Sequence, residues 1–102
     1  MKFTIPNFTK SPIAFMRECG YACDNHAGPD ELSCMRRLAS YDYPRFHAYV
    51  RNDNGSLAVN LHIDQKKPSY GTARAHSGDY DGEQVTAEAE RITMVYGHKG
   101  SN

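Results

Sequence analysis

Two histidines on either side of a tight-turn signal form the first group of residues that could do chemistry. His47 and His62 flank the dipeptide Asn54-Gly55, and the stretches before and after it alternate apolar and polar residues. Asn-Gly between two alternating stretches is the strongest short-range signal for a β-hairpin with a two-residue turn. With these two residues at the turn, His47 faces His62 on the neighbouring strand, with Cβ atoms about 5 Å apart.

The same register predicts one polar and one apolar face for the hairpin. It pairs Arg45 with Asp64 on one side of the histidines and Tyr49 with Asn60 on the other. The opposite face carries the apolar residues Phe46, Ala48, Val50, Leu57, Val59, Leu61 and Ile63. Because side chains alternate between the faces of a strand, we expect the apolar face to be covered and the polar face to hold any site.

The histidine pair is open to three interpretations. Two neutral imidazoles on adjacent strands can share a metal ion, with Asp64 or a loop residue as a further ligand. They can instead act as acid and base on a phosphodiester, with loop cations stabilising the developing charge. In the third interpretation they only make hydrogen bonds that hold the loop. The metal candidates are His47, His62, His76 and Asp79, and the loop cations are Lys66, Lys67 and Arg74.

The loop in question is the segment 65–82, eighteen residues without a sustained period. Loops this long inside a small domain are generally functional or disordered. Lys66, Lys67 and Arg74 surround Tyr70, so the basic groups could contact phosphates while the ring stacks on a base. The alternative is that these charges pair with the nearby Asp79 and hold the loop in place. Both uses of the histidine site require this loop to cover the polar face.

A second constellation contains the three cysteines. Cys19, Cys23, His26 and Cys34 follow the spacing C-x3-C-x2-H-x7-C, which has the ligand types of structural zinc without the usual two-residue spacing. An odd number of cysteines favours reduced thiols over a disulfide framework. The sequence therefore predicts free thiols and no cofactor, with zinc as the alternative that the ligand types allow.

Length and composition predict one small domain. The chain has 102 residues, of which 39% are hydrophobic and 24% charged, and we expect a domain over residues 1–97 with a disordered tail at 98–102. Twelve basic and twelve acidic side chains give no overall attraction to nucleic acid or anionic lipid. No apolar run approaches the roughly 20 residues of a membrane span, and the first residues lack the apolar core of a signal peptide. These features predict a cytoplasmic protein.

Two helices are predicted at the ends of the domain. The first begins with Ser11 as N-cap and ends before Gly20. The second covers residues 83–96, with Asp81 as N-cap and Gly97 as its end. The predicted buried stripes are Ile13, Met16 and Cys19 in the first helix, and Val85, Ala89, Ile92 and Tyr96 in the second.

The remaining segments are less regular. Phe3 and Ile5 are interpreted as a tail packed against the core. Residues 21–23 and 32–38 are interpreted as the arms of a second hairpin, with a helix over residues 30–38 as the alternative. In the hairpin interpretation Leu32, Cys34, Arg36 and Leu38 share one face.

Three motifs, YPRFH from residue 43, NLHIDQKKPSY from residue 60 and AHSGDYDG from residue 75, resemble a family of small uncharacterised bacterial proteins. The resemblance covers most of the chain beyond residue 31, while residues 21–29 depart from the family pattern. No activity is assigned to that family, so the resemblance implies no chemistry. It implies that the hairpin, the long loop and the last helix form one unit, and it favours a strand over residues 31–38.

Together these features predict an α+β fold: a short N-terminal helix, an antiparallel meander of three or four strands, and a C-terminal helix packed on one face of the sheet. The predicted function is a small intracellular binding or interaction module. Its site lies around His47 and His62 under the 65–82 loop and takes a phosphate-bearing or nucleic-acid ligand. The alternative is a small metal-dependent or histidine-based phosphodiester hydrolase, and the exposed sheet edges allow a homodimer.

Overall fold

The computed structural model describes residues 1–28, 30–40, 43–65 and 82–100, including side chains except those of 25–28 and 98–100. Within these residues the fold is α+β, with a five-stranded antiparallel sheet and two helices, one of them C-terminal. The elements, in chain order, are β1 (Lys2–Ile5), α1 (Pro12–Glu18), β2 (Ala22–Gly28), β3 (Glu31–Arg37), β4 (Arg45–Asp53), β5 (Ser56–Asp64) and α2 (Gly82–Gly100).

The β4–β5 hairpin has the predicted register. Asn54 and Gly55 both adopt positive φ angles, of 53° and 88°, as a tight two-residue hairpin turn requires. The cross-strand pairs Arg45 with Asp64, His47 with His62, Tyr49 with Asn60 and Asp53 with Ser56 are all present. The turn signal therefore fixed which residues share each face.

The strand order is β1-β5-β4-β3-β2, so β2 to β5 form a four-stranded meander and β1 adds an edge strand beside β5. The interpretation of the N-terminal residues as a packed tail is wrong, because Lys2 pairs with Asn60 and Ile5 pairs with Leu57. The backbone N–H of Phe8 also donates to the carbonyl of Gly55 at 2.8 Å. A four-residue strand has too little alternation to be recognised, and its partner lies more than fifty positions away.

The segment for which both a helix and a strand were considered forms the strand β3. It pairs with β2 on one side and with β4 on the other, where Ser33 lies opposite Tyr49 and Met35 opposite His47. This register places Leu32, Cys34 and Arg36 on the same side of the sheet as Val50, Ala48 and Phe46. The hairpin interpretation is confirmed, although β2 continues to Gly28, beyond the predicted end at residue 23, and Leu38 lies after the end of β3.

A single hydrophobic core lies between the helices and one face of the sheet. The apolar hairpin residues from Phe46 to Ile63 are buried in it together with Val85, Ala89 and Ile92 of α2, as predicted. In α1 the buried residues are Phe15 and Met16, whereas Ile13 is only half-buried. Phe15 was missed because it packs edge-on against Phe8 and Tyr96, at centroid distances of 5.4 and 5.6 Å, and both partners lie outside α1.

The ends of α1 follow the prediction and the end of α2 does not. The Ser11 hydroxyl accepts a hydrogen bond from the Ala14 N–H at 3.3 Å, and Gly20 has the positive φ, 97°, that suits a glycine after a helix. Gly97 is instead an interior residue of α2, which continues to Gly100, so the predicted end is wrong and residues 98–100 of the predicted tail belong to the helix. A glycine costs a helix about 1 kcal/mol without forcing it to end. Within the described ranges, no helix combines the length and the hydropathy needed to cross a membrane.

The expectation of three reduced thiols is wrong for two of the cysteines. Cys23 on β2 and Cys34 on β3 are directly opposite each other, with Cα atoms 4.0 Å apart, and form a disulfide. Cys19 is free and buried at the end of α1. An odd number of cysteines shows that at least one is unpaired, but it does not show that the others are.

Candidate functional site

The two faces of the sheet differ sharply, because both helices pack on one face and the other carries polar side chains from all five strands. We call the latter the polar face. By the strand registers its members are Lys2, Thr4, Ala22, Asp24, Glu31, Ser33, Met35, Arg37, Arg45, His47, Tyr49, Arg51, Asp53, Ser56, Ala58, Asn60, His62 and Asp64. At its centre the ring of Tyr49 lies 4.6 Å from the ring of His47 and 6.0 Å from the ring of His62, measured between centroids.

His47 contacts a partner at each of its ring nitrogens. Its Nε2 lies 2.8 Å from the Oγ of Ser33 on β3, and its Nδ1 lies 3.6 Å from Oδ2 of Asp64 on β5. Arg45 donates from Nε to the same Oδ2 at 3.3 Å. The imidazole therefore bridges three strands, from a hydroxyl on one side to a carboxylate on the other.

These surroundings keep His47 neutral near pH 7. Burial lowers the pKa of His47 below 6.5, the Asp64 carboxylate opposes this effect, and the charges of Arg45 and His62 add to it. The nearby carboxylate favours the tautomer with the proton on Nδ1, so Nε2 has a free lone pair toward the Ser33 hydroxyl. A neutral histidine in this state is chemically a base.

A depression of about 510 Å³ lies next to this group on the polar face. It lies over β5, where Ala58 is placed between Thr4 and Arg51, and Asn60 between Lys2 and Tyr49. Because Ala58 has a short side chain among long ones, it leaves space at that point. Glu31 lines the far side, so the depression has two cationic groups, one carboxylate and one aromatic ring at its borders.

The structure brings together every predicted site residue that belongs to the hairpin: His47, His62, Asp64, Tyr49 and Asn60 all lie on the polar face. The loop candidates Lys66, Lys67, Tyr70, Arg74, His76 and Asp79 lie outside the described residues. The prediction that the loop covers the polar face lies outside them as well. Sequence reasoning missed Lys2, because β1 was not recognised, and Ser33, because the register between β3 and β4 was not known.

Neither predicted metal set is assembled in the residues that the structure describes. Among them, no group of three or more His, Cys, Asp or Glu side chains is arranged to hold a metal ion. In the cysteine set, the sulfurs of Cys23 and Cys34 are joined to each other, and the side chain of His26 is not among those described. Burial raises the pKa of Cys19 to about 11, so this thiol is protonated. Metal binding stays a prediction for the reduced chain and for the loop residues.

A second polar cluster lies on the helical side of the sheet and ties α2 to the strands. The buried carboxylate of Glu88 accepts hydrogen bonds from the Tyr21 hydroxyl at 2.6 Å and from Nη2 and Nε of Arg36 at 3.0 and 3.2 Å. It also accepts from Nε and Nη2 of Arg91, both at 2.8 Å. Arg91 also donates to the carbonyl of Cys19 at 2.7 Å. Because the carboxylate has several partners and is 3% exposed, this cluster is a structural tie and leaves no open face for a ligand.

Comparisons of the chain with protein-family models, with curated proteins and with solved structures give no match. The resemblance to small bacterial proteins stays a prediction, and the functional argument depends on the polar face alone.

Proposed function

We propose that the chain is a binding module whose polar face takes a phosphate-bearing ligand, with a nucleotide unit as the chemical form that fits best. The observation that carries this proposal is the depression over Ala58. It is bordered by Lys2 from β1 and Arg51 from β4, two cationic side chains that belong to different strands and lie on opposite sides of β5.

Each border of the depression suits a different part of a nucleotide. Lys2 and Arg51 offer N–H donors to phosphate oxygens, and Arg51 can do so with two parallel hydrogen bonds. Tyr49 supplies an aromatic surface on which a base can stack. Glu31 and Asn60 supply acceptors for sugar or base donors. A plain anion would use only the two cations and leave the carboxylate unfavourably close.

The attraction in this proposal is local, because the whole chain has no net charge. With two cationic contacts, the affinity for single-stranded nucleic acid falls with salt with a logarithmic slope of about −1.4, far shallower than for a basic nucleic-acid-binding protein.

Binding is tested by fluorescence anisotropy with a labelled single-stranded RNA and by calorimetry with a mononucleotide. We expect Lys2→Ala and Arg51→Ala each to weaken binding several-fold and to reduce the salt slope by about 0.7. The matched control is Arg17→Ala, which removes an exposed cation from α1 on the helical side of the sheet and leaves binding unchanged. No binding tighter than about 100 μM, or equal losses in all three variants, overturns the proposal.

A second candidate, a histidine-based phosphodiester hydrolase, is supported by the neutral state of His47 and by its position opposite His62. In this reaction one imidazole takes the proton of the attacking water and the other gives a proton to the leaving oxygen. Hydrolysis of bis(4-nitrophenyl) phosphate that disappears in His47→Ala and in His62→Ala supports it, and absence of turnover in the unmodified protein removes it.

Metal dependence and dimerisation are proposed only as accessory features. Elemental analysis of protein purified without a histidine tag, before and after reduction of the disulfide, tests whether zinc binds to the cysteine set. Mass measurement in solution tests a homodimer, for which β1 and β2 are the sheet edges that could pair.

A further inference from the structure

Ser33, His47 and Asp64 lie on three consecutive strands of the sheet, β3, β4 and β5, and contact one another in a row across the polar face. The Ser33 Oγ is 2.8 Å from His47 Nε2, and His47 Nδ1 is 3.6 Å from Asp64 Oδ2. A hydroxyl, an imidazole and a carboxylate in this order match the roles of nucleophile, base and orienting group. We infer that Ser33 is a nucleophile activated by His47, and that the polar face cleaves carboxylic esters through an acyl-Ser33 intermediate.

The strand registers explain why the three groups meet. His47 faces Met35 on β3 and His62 on β5, so Ser33 and Asp64 are its diagonal neighbours, two positions from the directly facing residues. Diagonal neighbours on one face of a sheet are within reach of a long or aromatic side chain. Because all three belong to paired strands, the contacts depend on the hairpin register and on the β3–β4 pairing.

The charges around His47 suit a general base. The groups that face it are Asp64 and His62 on β5, Arg45 on its own strand and the Ser33 hydroxyl on β3. Arg45 binds Asp64, which fixes the carboxylate beside Nδ1. Burial lowers the pKa of His47, so its Nε2 can accept a proton at neutral pH.

The depression over Ala58 adjoins the nucleophile through Tyr49. Ser33 lies directly opposite Tyr49 on β4, and Tyr49 lines the depression over Ala58. Ser33 is half-buried, and the side chain of His47 is 18% exposed, so both are open to small molecules from the polar face. We place the ester over Tyr49, the residue directly opposite Ser33.

The reaction balances with water as the only co-substrate. The Ser33 Oγ bonds to the carbonyl carbon while its proton passes to His47 Nε2. The C–O bond to the leaving alcohol then breaks, and the departing oxygen takes the proton from His47. Water next loses a proton to His47 and attacks the acyl-Ser33 ester. The carboxylic acid leaves, and Ser33 recovers its proton.

Neutral esters fit this group better than phosphodiesters do. Arg45, the cation beside His47, is already bound to Asp64 and cannot neutralise a second anion without giving up that contact. A phosphodiester is already an anion, so nucleophilic attack brings it toward two negative charges. A carboxylic ester is neutral, so attack creates one negative charge on its carbonyl oxygen. The substrate class is therefore a carboxylic ester without charge at the carbonyl.

The test uses a fluorophosphonate probe, which reacts with an activated serine by forming an Oγ–P bond and releasing fluoride. We expect one adduct per chain, found by intact mass measurement and located at Ser33 by peptide mapping. Ser33→Ala removes the adduct, and His47→Ala slows its formation at least 100-fold. Asp64→Asn slows it at least tenfold. The matched control is Ser56→Ala, a serine at the turn end of the same polar face, which labels at the normal rate.

A second assay follows hydrolysis of 4-nitrophenyl acetate, which we expect to begin with a burst of one nitrophenol per chain in the unmodified protein. Peptide mapping of the unmodified protein needs no variant to fold, so it decides the inference even where Ser33→Ala is unstable. No adduct at millimolar probe, an adduct on another residue, or equal labelling in His47→Ala each overturns it. Phosphate binding is tested independently, because Lys2→Ala and Arg51→Ala leave Ser33, His47 and Asp64 in place.

Discussion

Replacing Glu88 with Gln gives the most quantitative prediction about the fold. Burial by itself raises the pKa of Glu88, but the hydrogen bonds from Arg91, Arg36 and Tyr21 outweigh it and lower this pKa from its ordinary 4.5 to about 2. One pKa unit corresponds to about 1.4 kcal/mol, so the ionised form of Glu88 stabilises the native state by roughly 3 kcal/mol. Gln keeps the size of the side chain and removes this contribution.

The sign of the pH dependence follows from the lowered pKa. The stabilisation is fully present above pH 4.5, where Glu88 is ionised in both states, and is lost as the pH falls from 4.5 to about 2. Urea unfolding at pH 7 is expected to show Glu88→Gln less stable than the unmodified chain by roughly 3 kcal/mol. At pH 3 the difference is expected to shrink to about 1.5 kcal/mol.

The control for this measurement is Glu90→Gln, an exposed position on the same helix. It is expected to change the free energy of unfolding by less than about 0.5 kcal/mol at either pH. The reasoning is refuted if Glu88→Gln and Glu90→Gln have equal effects at pH 7, or if the Glu88→Gln difference is the same at pH 3 as at pH 7.

Three further predictions concern the disulfide, His47 and the ring cluster. The double variant Cys23→Ser, Cys34→Ser is expected to lower the free energy of unfolding by about 2 to 3 kcal/mol, since the disulfide joins residues 11 positions apart. Thiol counting on the oxidised, denatured chain should find one reactive thiol, and a count of three would contradict the disulfide. An NMR titration is expected to give His47 a pKa below 6.5. The Asp64→Asn variant should lower the pKa of His47 further, because the Asp64 carboxylate raises it. A higher His47 pKa in this variant would contradict the contact between His47 and Asp64. Phe15→Ala is expected to destabilise the fold by about 3 to 5 kcal/mol in urea unfolding, because Phe15 is 0% exposed, and a loss below about 1 kcal/mol contradicts its central place in the core.

The sequence predicted the β4–β5 hairpin fully because a local turn fixes its register. Once Asn54 and Gly55 occupy the two turn positions, every facing pair follows by counting, and the polar and apolar faces follow from alternation. The buried stripe of α2 was predictable for the same reason, since helical spacing is a local property. The placement of the hairpin's candidate residues on one face was predictable for the same reason.

What the sequence did not predict depends on pairings between distant segments. β1 is a strand only because it completes the free edge of β5, and the contact of Ser33 with His47 exists only through the β3–β4 register. Glu88 did carry a local signal, since it lies three positions after Val85 and four before Ile92 on the buried stripe of α2. A charge on such a stripe requires buried partners, but its partners Tyr21 and Arg36 come from positions far along the chain.

The proposed role of the polar face as a binding surface is tested by recording ¹⁵N–¹H correlation spectra of the labelled chain during titration with a mononucleotide and with a single-stranded RNA. We expect saturable shifts at Lys2, Tyr49, Arg51 and Asn60, while the amides of α1 and α2 stay unchanged. Shifts confined to the helices, or no shifts at millimolar ligand, would contradict it.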